Sequence, residues 1–225
     1  MLLQIMDIKV IITGATGLVG EGVLLECLNH PAVKEVLIVN RKPAGIKHTK
    51  LKECIVTDFF KLENFTEQLS GYNACFYCAG ISSNGVKESD YSYITYDTTL
   101  HFANKLLMLN PKMVFSHISG SHTDSSEKGK VMWARIKGKT ENALMQLPFK
   151  MVYNFRPGFM KPIAGQKNVK SYYIIIDKLF PVLNFLMPNQ SITMSELGLA
   201  MINSVIHGYP KQILEIKDIQ LLAKA

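Results

Sequence analysis

The chain has 225 residues, 48% hydrophobic and 19% charged. That is enough for one domain with a fully covered sheet, and too apolar for a disordered chain. The net charge of +7 comes from scattered Lys and Arg, and the densest basic stretch, Arg41 to Lys52, holds no aromatic ring to stack on a base; this suits a small anionic ligand better than nucleic acid.

Met1 to Met6 is apolar without a cationic flank, and Asp7 and Lys9 follow at once. No secretory signal is expected, and the expected location is cytoplasmic. Ile8 to Thr13 is a β-branched run that predicts a strand, and Leu18 to Asn29 has helical spacing with Val19, Val23 and Cys27 on one stripe. Glu35 to Asn40 and Glu53 to Thr57 are the second and third strands, a short helix covers about Leu62 to Leu69, and Asn73 to Ala79 is the fourth strand. That strand holds Cys75 and Cys78. Residues three apart on a strand face opposite sides, so these thiols diverge, and with Cys27 and Cys54 they read as core cysteines of a reducing compartment. No set of side chains has metal-ligand spacing, so no metal is expected.

A helix follows with Tyr96, Leu100, Ala103 and Leu107 on one stripe, then a fifth strand at Met113 to Ile118. Glu127 to Leu147 is predicted helical, with Asp124 and Glu127 as its capping box, and Met151 to Phe155 is the sixth strand. Beyond Pro157 the pattern loosens. A helix over Tyr172 to Leu186 is interrupted by Asp177, Lys178 and Pro181, too short and too broken to span a bilayer. Thr193 and Glu196 form a capping box for a helix with Leu197, Met201 and Val205 on one stripe, and Ile213 to Ile216 predicts a last strand. The alternation implies an α/β fold with a doubly wound parallel sheet. It reads as a single domain over residues 1–225, with a core at 1–157 and a small substrate-side cover at 158–225.

The most informative motif is Gly14-Ala15-Thr16-Gly17-Leu18-Val19-Gly20, between the first strand and the first helix. A pyrophosphate must come close to backbone N–H groups at a helix N-terminus. One glycine makes the turn, one leaves room for the phosphates, and one lets the elements pack. At the head of a βαβ unit this predicts dinucleotide binding on a Rossmann-type domain, with Gly14, Thr16, Gly17, Leu18, Val19 and Gly20 at the cofactor. The second strand ends in Asn40-Arg41-Lys42, where an NAD site has Asp or Glu for the ribose 2′-hydroxyl. Neutral Asn40 and cationic Arg41 suit a 2′-phosphate, so NADP(H) is expected, with NAD as the alternative. Asp58 is placed either to meet the adenine or to cap the next helix.

These residues resemble the short-chain dehydrogenase/reductase superfamily, in its extended and atypical branches that include nucleotide-sugar epimerases. The small atypical subgroup similar to the Tat-interacting tumour-suppressor protein is the best match, over about residues 8 to 216. Cys78-Ala79-Gly80, Ser116-His117-Ile118-Ser119-Gly120-Ser121, Lys137 to Glu141 and Phe155-Arg156-Pro157-Gly158 carry it further. The resemblance implies that Ala79, Gly80 and Pro157 line the cofactor, that Ser119 is catalytic and that Lys137 holds the nicotinamide ribose. It breaks at one place. The family's Tyr-x-x-x-Lys reads Trp133-Ala134-Arg135-Ile136-Lys137 here. Indole N–H donates a hydrogen bond but shuttles no proton at neutral pH, so another group must be the acid; Ser119, Ser121, His117 and His122 are candidates, with Ser119 and His122 expected. The expected function is an NADP(H)-dependent oxidoreductase or epimerase-like enzyme acting on a small molecule the sequence does not identify. The alternative is a non-catalytic NADP(H) sensor or scaffold. A homodimer is left open.

Overall fold

The computed structural model describes residues 7–169 and 190–225. Strand β1 (Ile8–Thr13) leads through the glycine loop into helix α1 (Leu18–Asn29), then to β2 (Val33–Asn40) and β3 (Leu51–Ile55). Between β3 and β4 (Ala74–Tyr77) the expected helix is only a 3-10 turn at Glu63–Phe65. Next come α2 (Glu88–Ser92), a π-helical turn at Tyr93–Asp97, α3 (Thr98–Leu109), β5 (Val114–Ile118), α4 (Met132–Met145) and β6 (Met151–Phe155). The chain continues as β7 (Phe159–Lys161), β8 (Ser191–Thr193), α5 (Met194–Ile206), β9 (Ile213–Leu214) and α6 (Ile216–Leu222). The helix expected over 172–186 lies outside the described residues.

Seven strands form one sheet in the order β3-β2-β1-β4-β5-β6-β9, and β7 and β8 pair separately. Every pairing is parallel. Parallel sheets need both faces covered, and the strands' period of two supplies two cores. Val10, Ile12, Val36, Ile38 and Phe76 enter one core with Val23, Leu24 and Cys27 of α1. Ile11, Leu37, Val39, Cys75 and Tyr77 enter the other with Phe102, Ala103 and Leu106 of α3. Cys75 is buried in the second core while Cys78 packs against the first, so the two thiols do diverge, and all four cysteines are free.

The stretch read as a cover contributes to the body of the fold. β9 pairs with β6 through Asn154–Ile213 and Phe155–Leu214, and Ile192, Leu197, Met201, Leu214, Ile219 and Leu222 complete the first core. α5 has the expected reciprocal capping box between Thr193 and Glu196, with the Glu196 N–H donating to Thr193 Oγ1 at 3.1 Å. It seats tightly on α1: a Cβ at Gly22 would press on the Met194 side chain, and one at Gly198 on that of Glu26.

Two expectations are corrected by local hydrogen bonding. The helix expected from Glu127 starts at Met132, because Asp124 is not its cap. The Asp124 carboxylate instead accepts from the N–H groups of Ser126 and Gly129 and the Ser126 hydroxyl, holding a loop in which Glu127 has φ +61°. Side-chain capture of nearby backbone donors competes with helix formation. On α3 the buried residues are Thr99, Phe102, Ala103 and Leu106, and Leu100 and Leu107 of the expected stripe pack against the same core. The last strand stops at Leu214, because Glu215 and Asp218 form a capping box that starts α6. Among the described residues no helix is long and apolar enough to cross a membrane.

Candidate cofactor cleft and active site

The strand order reverses between β1 and β4, which is where an open α/β sheet presents its crevice. Two devices hold that crevice in shape. The Thr13 hydroxyl, fully buried, accepts from the N–H groups of Cys78 and Ala79, each at 3.1 Å. Asn40 Oδ1 accepts from the Ala15 N–H at 3.1 Å, tying the end of β2 to the glycine loop. Asn40 therefore points inward, while Arg41 and Lys42 stay exposed on the rim.

The three loop glycines differ in what they do. Gly14 has φ +69°, and a Cβ there would press on the Ala79 backbone at 2.8 Å. A Cβ on Gly20 would overlap the Gly14 carbonyl, so Gly20 is required by the loop's own packing and lies behind the cleft. Gly17 is different: a Cβ there meets only the Gly14 carbonyl, at 3.4 Å, and one on Gly80 meets nothing within 4 Å. Both face open space. Gly17 is the N-cap of α1 and no described side chain caps that end, which leaves the first-turn N–H groups directed at the cleft.

Three adjoining cavities follow the crevice. One of about 680 Å³ lies among Gly14, Thr16, Gly17, Asn40, Arg41 and Gly80. A smaller one of about 220 Å³ is walled by Arg41, Asp58, Phe59, Phe60 and Tyr93, with the Phe60 and Tyr93 rings stacked at 5.1 Å. Asp58 lines this cavity, and its carboxylate accepts from the Phe60 N–H in a turn rather than capping a helix. The third, about 620 Å³, is lined by Leu18, Val19, Ala79, Tyr91, Thr95, Thr99, His117, Ser119, Lys137 and Pro157. The expected cofactor residues thus line one continuous set of walls, apart from Gly20.

At the inner end, Lys137 of α4 donates to the Ser119 carbonyl at 3.3 Å. Burial lowers its pKa to about 8, with Glu141, one turn on, opposing the shift. The Ser119 hydroxyl is 3.0 Å from the Thr123 hydroxyl. His117 is buried, with Nδ1 3.1 Å from Asn154 Oδ1, so Nδ1 carries the hydrogen. Burial and then the Lys137 charge pull its pKa down to about 3, leaving it neutral. Burial raises the Tyr91 phenol above its ordinary value, and the Thr95 hydroxyl opposes this. Beneath this end Arg156, buried after β6, donates to both carboxylate oxygens of Glu141, and also to Glu215 and the Ser125 hydroxyl.

His122 is not part of this arrangement. It is exposed, has φ +65°, and lines a separate cavity with Ser121, Phe159, Lys211 and Lys217. The left-handed turn after Gly120 sends it out of the cleft, which corrects the expectation that it is the proton donor. Trp133 is half-buried one turn before Lys137, with its ring near Gly120, and is not a wall of the inner cavity. Sequence reasoning missed Tyr91, Thr95 and Thr99 as walls. Their signal was available in the 3.6-residue spacing of a helix that follows β4.

This sheet, glycine turn and crevice define a dinucleotide-binding protein of the Rossmann class. Within that class the chain belongs to the NAD dependent epimerase/dehydratase family, whose model matches residues 10–128. It is similar to the protein HTATIP2 of Rattus norvegicus, 24% identical over 154 residues, covering 68% of this chain and 62% of the rat protein. It is also similar to the mitochondrial protein fmp52 of Emericella nidulans, 27% identical over 166 residues, covering 71% and 68%. The matched stretch thus leaves about a third of each relative uncovered. Among solved structures, the Bordetella bronchiseptica enzyme WbmF in complex with NAD+ superposes with a TM-score of 0.65 at 14% identity, covering 98% of this chain and 78% of that one. The Helicobacter pylori ADP-L-glycero-D-manno-heptose-6-epimerase gives 0.66 at 11%, covering 100% and 84%. Likeness at that identity speaks for the fold.

Proposed function

We propose that the protein is an NADP(H)-dependent oxidoreductase or epimerase-like enzyme of this family. The observation that carries the reading is the division of the cleft, with cations on the rim at one end and Lys137 with Ser119 at the other. The residues present fit the dinucleotide. Gly17 and Gly80 open a cradle that side chains would fill, and Asn40 Nδ2 is a buried donor with no partner among the described residues at the cavity beside the glycine loop. Arg41 and Lys42 would hold a 2′-phosphate, with Asn40 turned inward and no carboxylate in its place. Bound there, the nicotinamide would supply or accept a hydride.

Lys137 holds the inner ribose, and the Ser119 hydroxyl donates to the substrate oxygen. Trp133 releases no proton. Lys137, at about 8, is the titrating side chain of the inner cavity held nearest neutrality, and its ammonium group is the source of the proton for that oxygen. Trp133 favours a second reading, a sensor or scaffold that binds NADP(H) without turnover.

The test is a titration with NADPH and NADH, followed by NADPH absorbance decay across ketones, aldehydes and nucleotide sugars. The enzyme reading expects tighter binding of NADPH, turnover of at least one carbonyl, and a loss of about a hundredfold in Lys137→Met and Ser119→Ala. Tight NADPH binding with no turnover across the panel selects the sensor. Equal affinity for both dinucleotides rejects the NADP preference.

A further inference from the structure

Where the adenosine-side and nicotinamide-side cavities meet, they share six wall residues: Thr16, Gly17, Cys78, Ala79, Gly80 and Asn168. The first five are the glycine loop and the end of β4, the two sides of the crevice. Asn168 comes from the far end of the chain, past the β6 turn, and lies over the junction. A dinucleotide running from one cavity to the other must pass its pyrophosphate through this place.

The segment bearing Asn168 is tied down at that point. Glu21, in the first turn of α1, is only 2% exposed, and its two carboxylate oxygens accept from the backbone N–H groups of Lys167 and Asn168 at 2.9 and 2.8 Å. Gln166 adds a second tie: its amide nitrogen donates to the Leu18 carbonyl at 2.8 Å, and its amide oxygen accepts from the Ile163 N–H at 2.7 Å. A buried carboxylate beside an anion-binding helix end repels a phosphate unless its charge is taken up. Here two backbone N–H groups take it up. The Asn168 side chain has no described intramolecular hydrogen bond and remains exposed towards both cavities.

We propose that Asn168 is a cofactor-contacting residue that donates its side-chain amide to the pyrophosphate, and that Glu21 is the positioning residue that holds it there. The assignment rests on the dinucleotide reading above. It adds a third side to the site: the phosphates are gripped by the glycine loop, by the end of β4, and by a strap that crosses between the cavities. Because the pyrophosphate is common to NAD(H) and NADP(H), the strap strengthens binding of both equally, unlike Arg41.

The experiment is a fluorescence titration of NADPH and NADH, with dissociation rates by stopped flow, on the unmodified protein, Asn168→Ala, Asn168→Asp, Glu21→Ala and the double variant Glu21→Ala/Asn168→Ala. A thermal melt without ligand accompanies each. Asn168→Ala is expected to weaken both dinucleotides about tenfold, mainly through faster dissociation, with an unchanged melt. Asn168→Asp weakens them further by placing a carboxylate on the phosphates. Glu21→Ala loses at least as much as Asn168→Ala, and the double variant binds no more weakly than Glu21→Ala, because a strap already released gains nothing from its side chain. A Glu21 that served stability alone would lower the melt and leave the two losses additive. The assignment is overturned if Asn168→Ala binds both dinucleotides as the unmodified protein does, or if the losses add. An unmodified protein that binds neither dinucleotide overturns the cofactor reading, and the strap assignment falls with it.

Discussion

At the glycine-loop end of the cleft the walls are largely main chain. Gly14 lies against the Ala79 backbone, Gly20 against the Gly14 carbonyl, and Asn40 Oδ1 and the Thr13 hydroxyl accept from backbone N–H groups. At the Lys137 end the walls are side chains: Lys137, His117, Ser119, Tyr91 and Thr95, supported from below by the Arg156–Glu141 pair. The first end recognises by fit, so a single added carbon decides the outcome. In the proposed function the second acts by charge and proton position, so its chemistry would depend on burial and on pH. The two ends meet at the junction under Asn168.

The largest expected effects probe the rigid end. Gly20→Ala forces a Cβ onto the Gly14 carbonyl and should destabilise the fold by about 3 kcal/mol or more, seen as a drop in the thermal melt. Gly17→Val should instead fold normally and lose dinucleotide affinity by roughly a hundredfold, since its side chain enters the space a pyrophosphate needs. If Gly17→Val binds normally, the division between the two ends is misplaced.

The next test probes the charge-dependent end through His117. Its folded pKa, about 3, lies below the unfolded value of 6.5, so below pH 6.5 the unfolded chain binds a proton that the folded one refuses. Stability is fully present above 6.5 and is lost as pH falls towards 3, by up to about 4 kcal/mol. Urea melts from pH 7 to 4 should show this loss, and His117→Gln should flatten it. An unaltered slope in the variant would mean that His117 is not the buried neutral group described.

Arg41→Ala sharpens the comparison from the rim. It should weaken NADPH by about 1.5–3 kcal/mol and leave NADH unchanged, by titration of both. The smallest effect belongs to Trp133→Phe, expected within about twofold in turnover, against about a hundredfold for loss of a true acid. A large loss there would make the indole a participant.

The sequence revealed the rigid end well. Glycines between a strand and a helix have few alternative uses, and the strand run Ile8 to Thr13 and the helix Leu18 to Asn29 coincide with the observed elements. Thr193 with Glu196 was equally legible, because a capping box is a local device. Asp124 and Glu127 have the same spacing, yet Asp124 captured Ser126 and Gly129 instead, a choice that depends on a loop path no local pattern encodes. His122 was misread for a similar reason: proximity in sequence to Ser119 says nothing about a left-handed turn between them. Glu21 and Asn168 were invisible because their meeting joins opposite ends of the chain.

The close seat of α1 on α5 also bears on how the molecule is made. Helix α1 is synthesised well before the surface it packs against, Met194, Leu197 and Met201. Until then Val23, Leu24 and Cys27 lack those packing partners, and contacts of such long sequence separation form late and slowly. The glycine loop takes its bearings from α1. A ribosome-bound chain that contains every residue of that loop but not yet α5 is therefore expected to be a poor trap for the dinucleotide, and binding competence should appear abruptly once α5 has emerged.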